Sequence, residues 1–362
     1  MEKAPCLLGE ILHIYSEMSI SKITSAPASS RLRAGVKQTA RETALEAVCQ
    51  ASRLARGVQP TPQATAAKED RSPVTVADFS VQALISLALE EALPDQPILG
   101  EEDAAFLRSA AATGLREQVV ERVRAFRPAA GTEQILAAID RCSAPATGSF
   151  WALDPIDGTK GFLRGGQYAI ALAWIEDGQV TLAALGCPQL PLDPGQPQGA
   201  VGCVFLAEKD QGTEIYDLHG HRHASARVTT VEDPAAGSFL ESVEAAHSDH
   251  HRHARIAAQL GVQAPPVRLD SQAKYAALAR GDASIYLRLP RDVHYREKIW
   301  DHAAGYLVIT EAGGQVTDAR GHTLDFTAGR ELTRNEGIVA TNRHLHAEVL
   351  AAVATVLESP EG

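Results

Sequence analysis

Apolar residues recur at helical spacing in 39–56, where Ala and Leu alternate with Arg, Glu and Gln, and again in 79–93. Both stretches predict long helices, the second amphipathic with Asp78 at its N-cap or in its first turn. A loop is expected over 57–72, then a short extended piece at 73–78. An apolar strand at 97–100 runs into Glu101-Glu102-Asp103. Residues 104–148, Ala-rich with scattered Arg and Glu, read as helices and linkers. The pattern then becomes that of strands: 150–153 is a buried apolar run expected to end at Leu153, in a tight Asp-Pro turn followed by a short helix near Gly158. Alternating runs at 168–175, 180–187, 200–207 and 212–217, with Asp177-Gly178 as a hairpin turn, predict an antiparallel sheet. From about Thr229 strands (237–243, 267–269, 283–287, 314–317) alternate with helices (249–260, 272–279, 301–311, 344–357), the rhythm of an α/β layer. The expectation is a layered α/β fold. Residues 39–228 form an α+β domain, 229–358 a smaller α/β domain, and 1–38 an extension that is disordered or a targeting segment.

Composition narrows the class. The 362 residues are 45% hydrophobic and 22% charged, ordinary for a globular protein. A net charge of −11 leaves no broad basic surface for a nucleic-acid polymer. It leaves room for a small anion, because bound metal ions supply local positive charge. Five cysteines (Cys6, Cys49, Cys142, Cys187, Cys203) lie scattered without a CxxC pair. That favours a reducing compartment, the cytoplasm. The stretch 18–41 is basic, Ser-containing and free of acids, a transit-peptide composition that makes plastid or mitochondrion the alternative. No apolar run reaches the ~20 residues of a membrane helix, and a monomer is the default.

The chemistry concentrates in 151–166, WALDPIDGTKGFLRGG. Asp154 and Asp157 stand three apart with Gly158-Thr159 directly after. Carboxylates at a strand end suit a hard, oxygen-loving cation, and a helix start offers N–H groups to a phosphate. Three further segments have the same character. Glu101-Glu102 puts a carboxylate just past a strand end, Asp78 stands at a helix start, and Asp301 opens an apolar helix where it is expected to cap the helix and face a metal at once. An acid at a helix start is usually only a cap; four such segments in one chain argue for metal-assisted phosphate chemistry.

GEE at 100–102, DPIDGT at 154–159 and WDHAAG at 300–305 together resemble the motifs of the lithium-sensitive, Mg2+-dependent phosphatases of the inositol monophosphatase superfamily. The longer stretches 68–85, 153–173 and 269–305 resemble the 3'(2'),5'-bisphosphate nucleotidase branch, and the likeness covers about 39–357. It implies an αβαβα sandwich with two or three Mg2+ per site. Glu101, Asp154 and the carbonyl of Ile156 would hold one ion, and Asp154, Asp157 and Asp301 a second. Asp78 and Thr159 would orient the attacking water and help deprotonate it, with backbone amides of Gly158 and Thr159 cradling the phosphate. Of the GEED run the resemblance selects Glu101, leaving Glu102 and Asp103 solvated.

For the substrate, the resemblance implies a nucleotide held by Glu244, His247, Ser271, Lys274 and Arg288. Lys274 as a point charge and Arg288 as a planar fork suit the second phosphate of a bisphosphate. Arg288 has a rival reading as an interdomain salt bridge. Of the histidines at 247, 250, 251 and 253, at a solvated helix start, His247 is the candidate. The implied reaction is hydrolysis of the 3'-phosphate of adenosine 3',5'-bisphosphate to AMP, with 3'-phosphoadenosine 5'-phosphosulfate as a second substrate. Its rivals are an inositol polyphosphate 1-phosphatase, sharing every metal ligand, and a non-catalytic nucleotide sensor.

Overall fold

In the computed structural model, the residues described are 28–59, 65–67, 73–243, 250–289 and 295–358. Of the described residues, those from Ala40 onward belong to one compact unit and 28–39 to another. Helix α1 spans Ala28–Val58, eleven residues longer at its N-terminus than the expected 39–56. The strands β1 (Thr65–Ala67) and β2 (Pro73–Thr75) pair antiparallel, where only a loop and an extended piece were expected. There follow α2 (Val76–Ala92), β3 (Ile98–Gly100), α3 (Thr113–Arg124) and α4 (Thr132–Asp140).

A seven-stranded sheet in the order β3-β4-β5-β6-β7-β8-β9 comes next. It adds β4 (Ser149–Asp157), β5 (Ala169–Glu176), β6 (Gln179–Pro191), β7 (Val201–Glu208), β8 (Gly212–Asp217) and β9 (Arg222–Ser225), with the short helix α5 (Thr159–Leu163) after β4. Only β3 runs parallel to its neighbour; the other pairs are antiparallel. β9 was not expected, because RHAS is too short and polar to show period-two patterning.

The second sheet has the order β11-β10-β12-β14-β13. Its strands are β10 (Phe239–Glu241), β11 (Val267–Arg268), β12 (Ile285–Arg288), β13 (Gln315–Thr317) and β14 (Ile338–Thr341). The helices are α6 (His250–Gln259), α7 (Ala273–Arg280), α8 (Ala303–Glu311) and α9 (His346–Glu358). β10 pairs parallel with β11 and β12, and β14 antiparallel with β12 and β13.

Alternation along the strands builds the layers. In β4, Trp151 and Leu153 join one apolar core with α1, α2, α3 and α4, while Phe150 and Ala152 face the opposite way, into a core with α7 and α8. The inner face of the small sheet, with Leu240, Tyr286 and Ala340, closes that second core. Its outer face, with Ile285, Leu287 and Val339, packs on Ile256 of α6 and Val349 and Val353 of α9. The result is five layers, αβαβα. α2 is not one-faced as expected: Val76 through Leu89 are all buried, because the sheet covers one side and α3 and α4 the other.

Candidate active site: a carboxylate cleft beside a phosphate-sized turn

β4 does not end at Leu153. Its ladder with β5 continues to Asp157 through a shift: Asp154 pairs with Ala171, but Asp157 with Ala169, so three steps on β4 oppose two on β5. This is a β-bulge, and Pro155, with no N–H to give to a ladder, sits inside it. The bulge replaces the expected turn and brings Asp154, the Ile156 carbonyl and Asp157 to the strand end. Gly158 then takes φ +84°, a left-handed conformation that opens α5 at Thr159. The Thr159 hydroxyl donates to the Ile156 carbonyl at 3.2 Å.

A cleft of about 270 Å³ is lined by Asp78, Glu101, Asp154, Ile156, Asp157, Gly158, Thr159, Ser271, Lys274, Arg288 and Asp301. All of these were singled out from sequence. Glu244 and His247 lie outside the described residues. Asp78 sits in the first turn of α2. Glu101 and Glu102 both line the cleft, but Glu102 is buried rather than solvated: its backbone N–H donates to Gln82 Oε1 at 3.0 Å, and its carbonyl accepts from Gln82 Nε2 at 2.7 Å. Asp301 closes a 3-10 turn, Ile299–Asp301, and α8 starts two residues later with His302 at its N-cap. Asp301 stands before the N-cap residue His302, whose side chain makes no capping hydrogen bond, so Asp301 is not the expected cap. It faces Arg288 instead, at 3.5 Å. His253 belongs to no solvated cluster; it is buried, 3.6 Å from Glu241.

The electrostatics of the cleft are those of a site awaiting positive charge. Asp154 is buried, and its Oδ1 has no hydrogen-bond partner among the described residues. Burial, then the charges of Asp157, Glu101, Asp301 and Asp78, push its carboxyl well above the usual aspartate range. Burial likewise raises Asp301; Arg288 opposes this without overcoming it. An orphaned buried carboxylate oxygen is costly unless a cation or proton meets it. An all-oxygen set of carboxylates and one carbonyl is the donor chemistry of Mg2+. The residues fit such an ion.

Two cations line the same cleft. Lys274, on α7, is buried with Nζ 3.2 Å from the Leu269 carbonyl and over the Tyr286 ring at 5.4 Å. Desolvation, joined by Arg288 and opposed by Asp157 and Asp270, lowers its pKa to about 8. Arg288, at the end of β12, has its Nε 2.9 Å from Glu297 Oε1 and its Nη2 2.8 Å from Glu297 Oε2. The rival reading of Arg288 as an interdomain salt bridge does not describe these pairs, because Glu297 and Asp301 belong to the same 229–358 segment as Arg288, and they leave it on the cleft wall.

Several residues at the site carried no signal in the sequence. Arg330 lies over the Trp300 ring at 4.7 Å, and its Nη2 donates to the Gly100 carbonyl at 3.1 Å. Its own carbonyl accepts from the Ile299 N–H at 3.1 Å. It thereby ties the strand end bearing Glu101 to the turn bearing Asp301. Asp270 pairs with Arg164 at 2.6 Å beside Gly161, whose added Cβ would stand 2.2 Å from the Gln167 carbonyl. Gln272 donates its backbone N–H to Asp157 Oδ2, joining the bulge to the start of α7.

A five-layer sandwich with carboxylates on a bulged strand end defines a phosphatase class, and comparison with known proteins identifies it. The model of the inositol monophosphatase family matches residues 36–358, and the chain belongs to that family. Members are metal-dependent, typically on Mg2+. The chain is 46% identical over 335 residues to a 3'(2'),5'-bisphosphate nucleotidase of Oryza sativa, covering 87% of this chain and 93% of that protein. It is 42% identical over 302 residues to the 3'(2'),5'-bisphosphate nucleotidase of Schizosaccharomyces pombe, covering 80% and 86%. Among solved structures, an IMPase of Thermotoga maritima superposes with TM-score 0.60 at 19% identity, over 91% of this chain and 98% of that one. That IMPase shares the fold of this chain.

Proposed function

We propose that the chain is a metal-dependent phosphomonoesterase that removes the 3'-phosphate of adenosine 3',5'-bisphosphate, giving AMP and inorganic phosphate. The observation that carries this reading is that one cleft is lined by the carboxylates and the Gly158-Thr159 turn and also by two cations, Lys274 and Arg288. A monophosphate needs only the carboxylates and the turn; two further cations suit a second anionic group. The bisphosphate nucleotidases to which the chain is 38–46% identical support the same substrate. The 5'-phosphosulfate analogue carries the same 3'-phosphate and is proposed as a second substrate.

Glu101, Asp154 and the Ile156 carbonyl would hold one Mg2+, and Asp154, Asp157 and Asp301 a second. When bound, Mg2+ supplies the positive charge that a phosphate dianion requires and lowers the pKa of water. The N–H groups of Gly158 and Thr159 at the start of α5 hold the phosphate oxygens. Asp78 and Thr159 orient the water for in-line attack, and the Asp78 carboxylate accepts its proton. Lys274 and Arg288 hold the second phosphate and so fix the ester bond against the attacking water. Glu244 and His247 are proposed to contact the adenosine.

The test is phosphate release by the purified protein with Mg2+, comparing adenosine 3',5'-bisphosphate, inositol 1,4-bisphosphate and inositol 1-phosphate, with and without lithium. Preference for the nucleotide, suppressed by lithium, is expected. Preference for the inositol bisphosphate would overturn the substrate assignment and keep the metal site. Tight nucleotide binding without release would make the protein a sensor.

A further inference from the structure

Behind Arg288 lies a buried chain of hydrogen bonds. Both oxygens of Glu297 meet the Arg288 guanidinium, at 2.9 and 2.8 Å. Glu297 Oε2 also lies 3.0 Å from His302 Nε2, and His302 Nδ1 lies 2.7 Å from the Tyr275 hydroxyl. His302 and Tyr275 are fully enclosed, and Glu297 nearly so. The partners dictate the proton positions. A carboxylate only accepts, so Nε2 carries the hydrogen, and Nδ1 accepts from the tyrosine hydroxyl. Every link then has one donor and one acceptor.

The far end of the chain is anchored by packing. Tyr275 meets Tyr286 edge-on at 5.1 Å, and it lies so close to α8 that a Cβ on Gly305 would stand 2.3 Å from the Tyr275 Cγ. Tyr275 also follows Lys274 directly on α7. The same packed unit therefore sets both cations of the proposed phosphate wall. Glu297, Asp301 and His302 could be taken for a metal site, since one ligand atom of each lies within 4.8 Å of the others. Arg288 contacts both Glu297 and Asp301, however, and already supplies the positive charge there.

We infer that Glu297, His302 and Tyr275 are positioning residues for recognition of the second phosphate: they hold the Arg288 guanidinium in one orientation, with its plane fixed by the Glu297 fork. The inference rests on the proposed reading of Arg288 as a phosphate contact. An arginine side chain is rich in rotamers, and ordering it beforehand removes that cost from binding. A carboxylate steadied by a buried histidine keeps the fork from rotating. None of the three residues would touch the substrate.

The experiment uses the Mg2+-loaded full chain and two substrates, adenosine 3',5'-bisphosphate and adenosine 3'-monophosphate, which lacks the second phosphate. Glu297→Gln should raise KM for the bisphosphate about tenfold while changing kcat less than about threefold. KM for the monophosphate should stay within about twofold of wild type. Tyr275→Phe, which loses one hydroxyl and keeps the ring, should move KM for the bisphosphate in the same direction by about two- to fivefold, and it serves if Glu297→Gln fails to fold. Equal losses on both substrates, or an unchanged KM for the bisphosphate, would overturn the inference. A wild-type enzyme with no preference for the bisphosphate would refute the reading of Arg288 and this inference with it. A wild-type preference that survives both substitutions would refute the inference alone.

Discussion

Gly158 and Ser271 meet across the cleft so closely that a Cβ on Gly158 would lie 2.8 Å from the Ser271 Cβ. Both hold left-handed backbone, at φ +84° and +67°. The contact joins the phosphate turn after β4 to the loop before α7. Holding a serine in this region costs about 1–3 kcal/mol, and such strain persists only where the surroundings enforce it.

Gly158→Ala should therefore fail twice, through the left-handed φ and through the Ser271 contact. Because Thr159 and Asp157 flank the position, a displacement near 1 Å is expected to lower kcat/KM by about a hundredfold. Phosphate-release kinetics alongside a thermal melt check this. An active variant with a wild-type melting temperature would contradict it.

The raised carboxyl of Asp154 makes stability depend on pH and on metal. Its folded pKa lies above the ordinary value of 3.8, so its favourable contribution is present at low pH and is lost as pH rises through and beyond that value. Asp301 acts in the same sense. Metal-free protein should melt at lower temperature at pH 7.5 than at pH 5.5, and Mg2+ should raise the melting temperature more at pH 7.5. Asp154→Asn should abolish turnover, raise the metal-free melting temperature at pH 7.5 and weaken the response to Mg2+. Differential scanning fluorimetry across the pH range measures all three, with turnover read separately. A melting temperature indifferent to Mg2+ at pH 7.5 would count against a metal site here.

Lys274 loses its proton as pH climbs through about 8, because burial disfavours the cation. The bisphosphate keeps its full charge over that range. KM for it should accordingly rise above about pH 8, approaching tenfold per pH unit, while kcat changes little because the bound phosphate holds the proton on the lysine. Lys274→Met should show a high KM with that limb flattened. A KM independent of pH between 7 and 9.5 in the wild type would remove Lys274 from the phosphate wall.

Arg330 bridges the segments that bear Glu101 and Asp301 without lining the cleft itself. Arg330→Ala should raise the Mg2+ concentration for half-maximal activity by about tenfold, the scale of a lost partner behind the metal ligands. KM for nucleotide at saturating Mg2+ should change little. Isothermal titration with Mg2+ gives a readout independent of turnover. Unchanged Mg2+ affinity would leave Arg330 with a packing role.

The local motifs were legible because each encodes its geometry within a few residues. LDPIDGT predicts a strand end with carboxylates and a helix start; the structure moves only the detail, turning an expected stop at Leu153 into a bulge that carries β4 on to Asp157. The longer strands were readable from period-two alternation, and β1, β9 and β14 were missed, β9 for want of any such pattern. Helix α2, expected to be amphipathic, is buried all round, since its periodicity could not tell how many layers would close over it.

The sequence by itself determined the layered fold and the residues of the carboxylate wall. Asp78, Asp154, Asp157, Thr159 and Asp301 stand out by side-chain chemistry attached to local backbone signals, and Glu101 was chosen over Glu102 by the family resemblance. The tertiary structure alone decided what surrounds them. The Gly100–Arg330 bond spans 230 positions, and the Asp157–Gln272 bond 115. The desolvation of Asp154, the fork of Glu297 on Arg288 and the contact of Gly158 with Ser271 likewise arise from chain segments that only folding brings together. Burial and partner identity are properties of that assembled neighbourhood, and no local pattern encodes them.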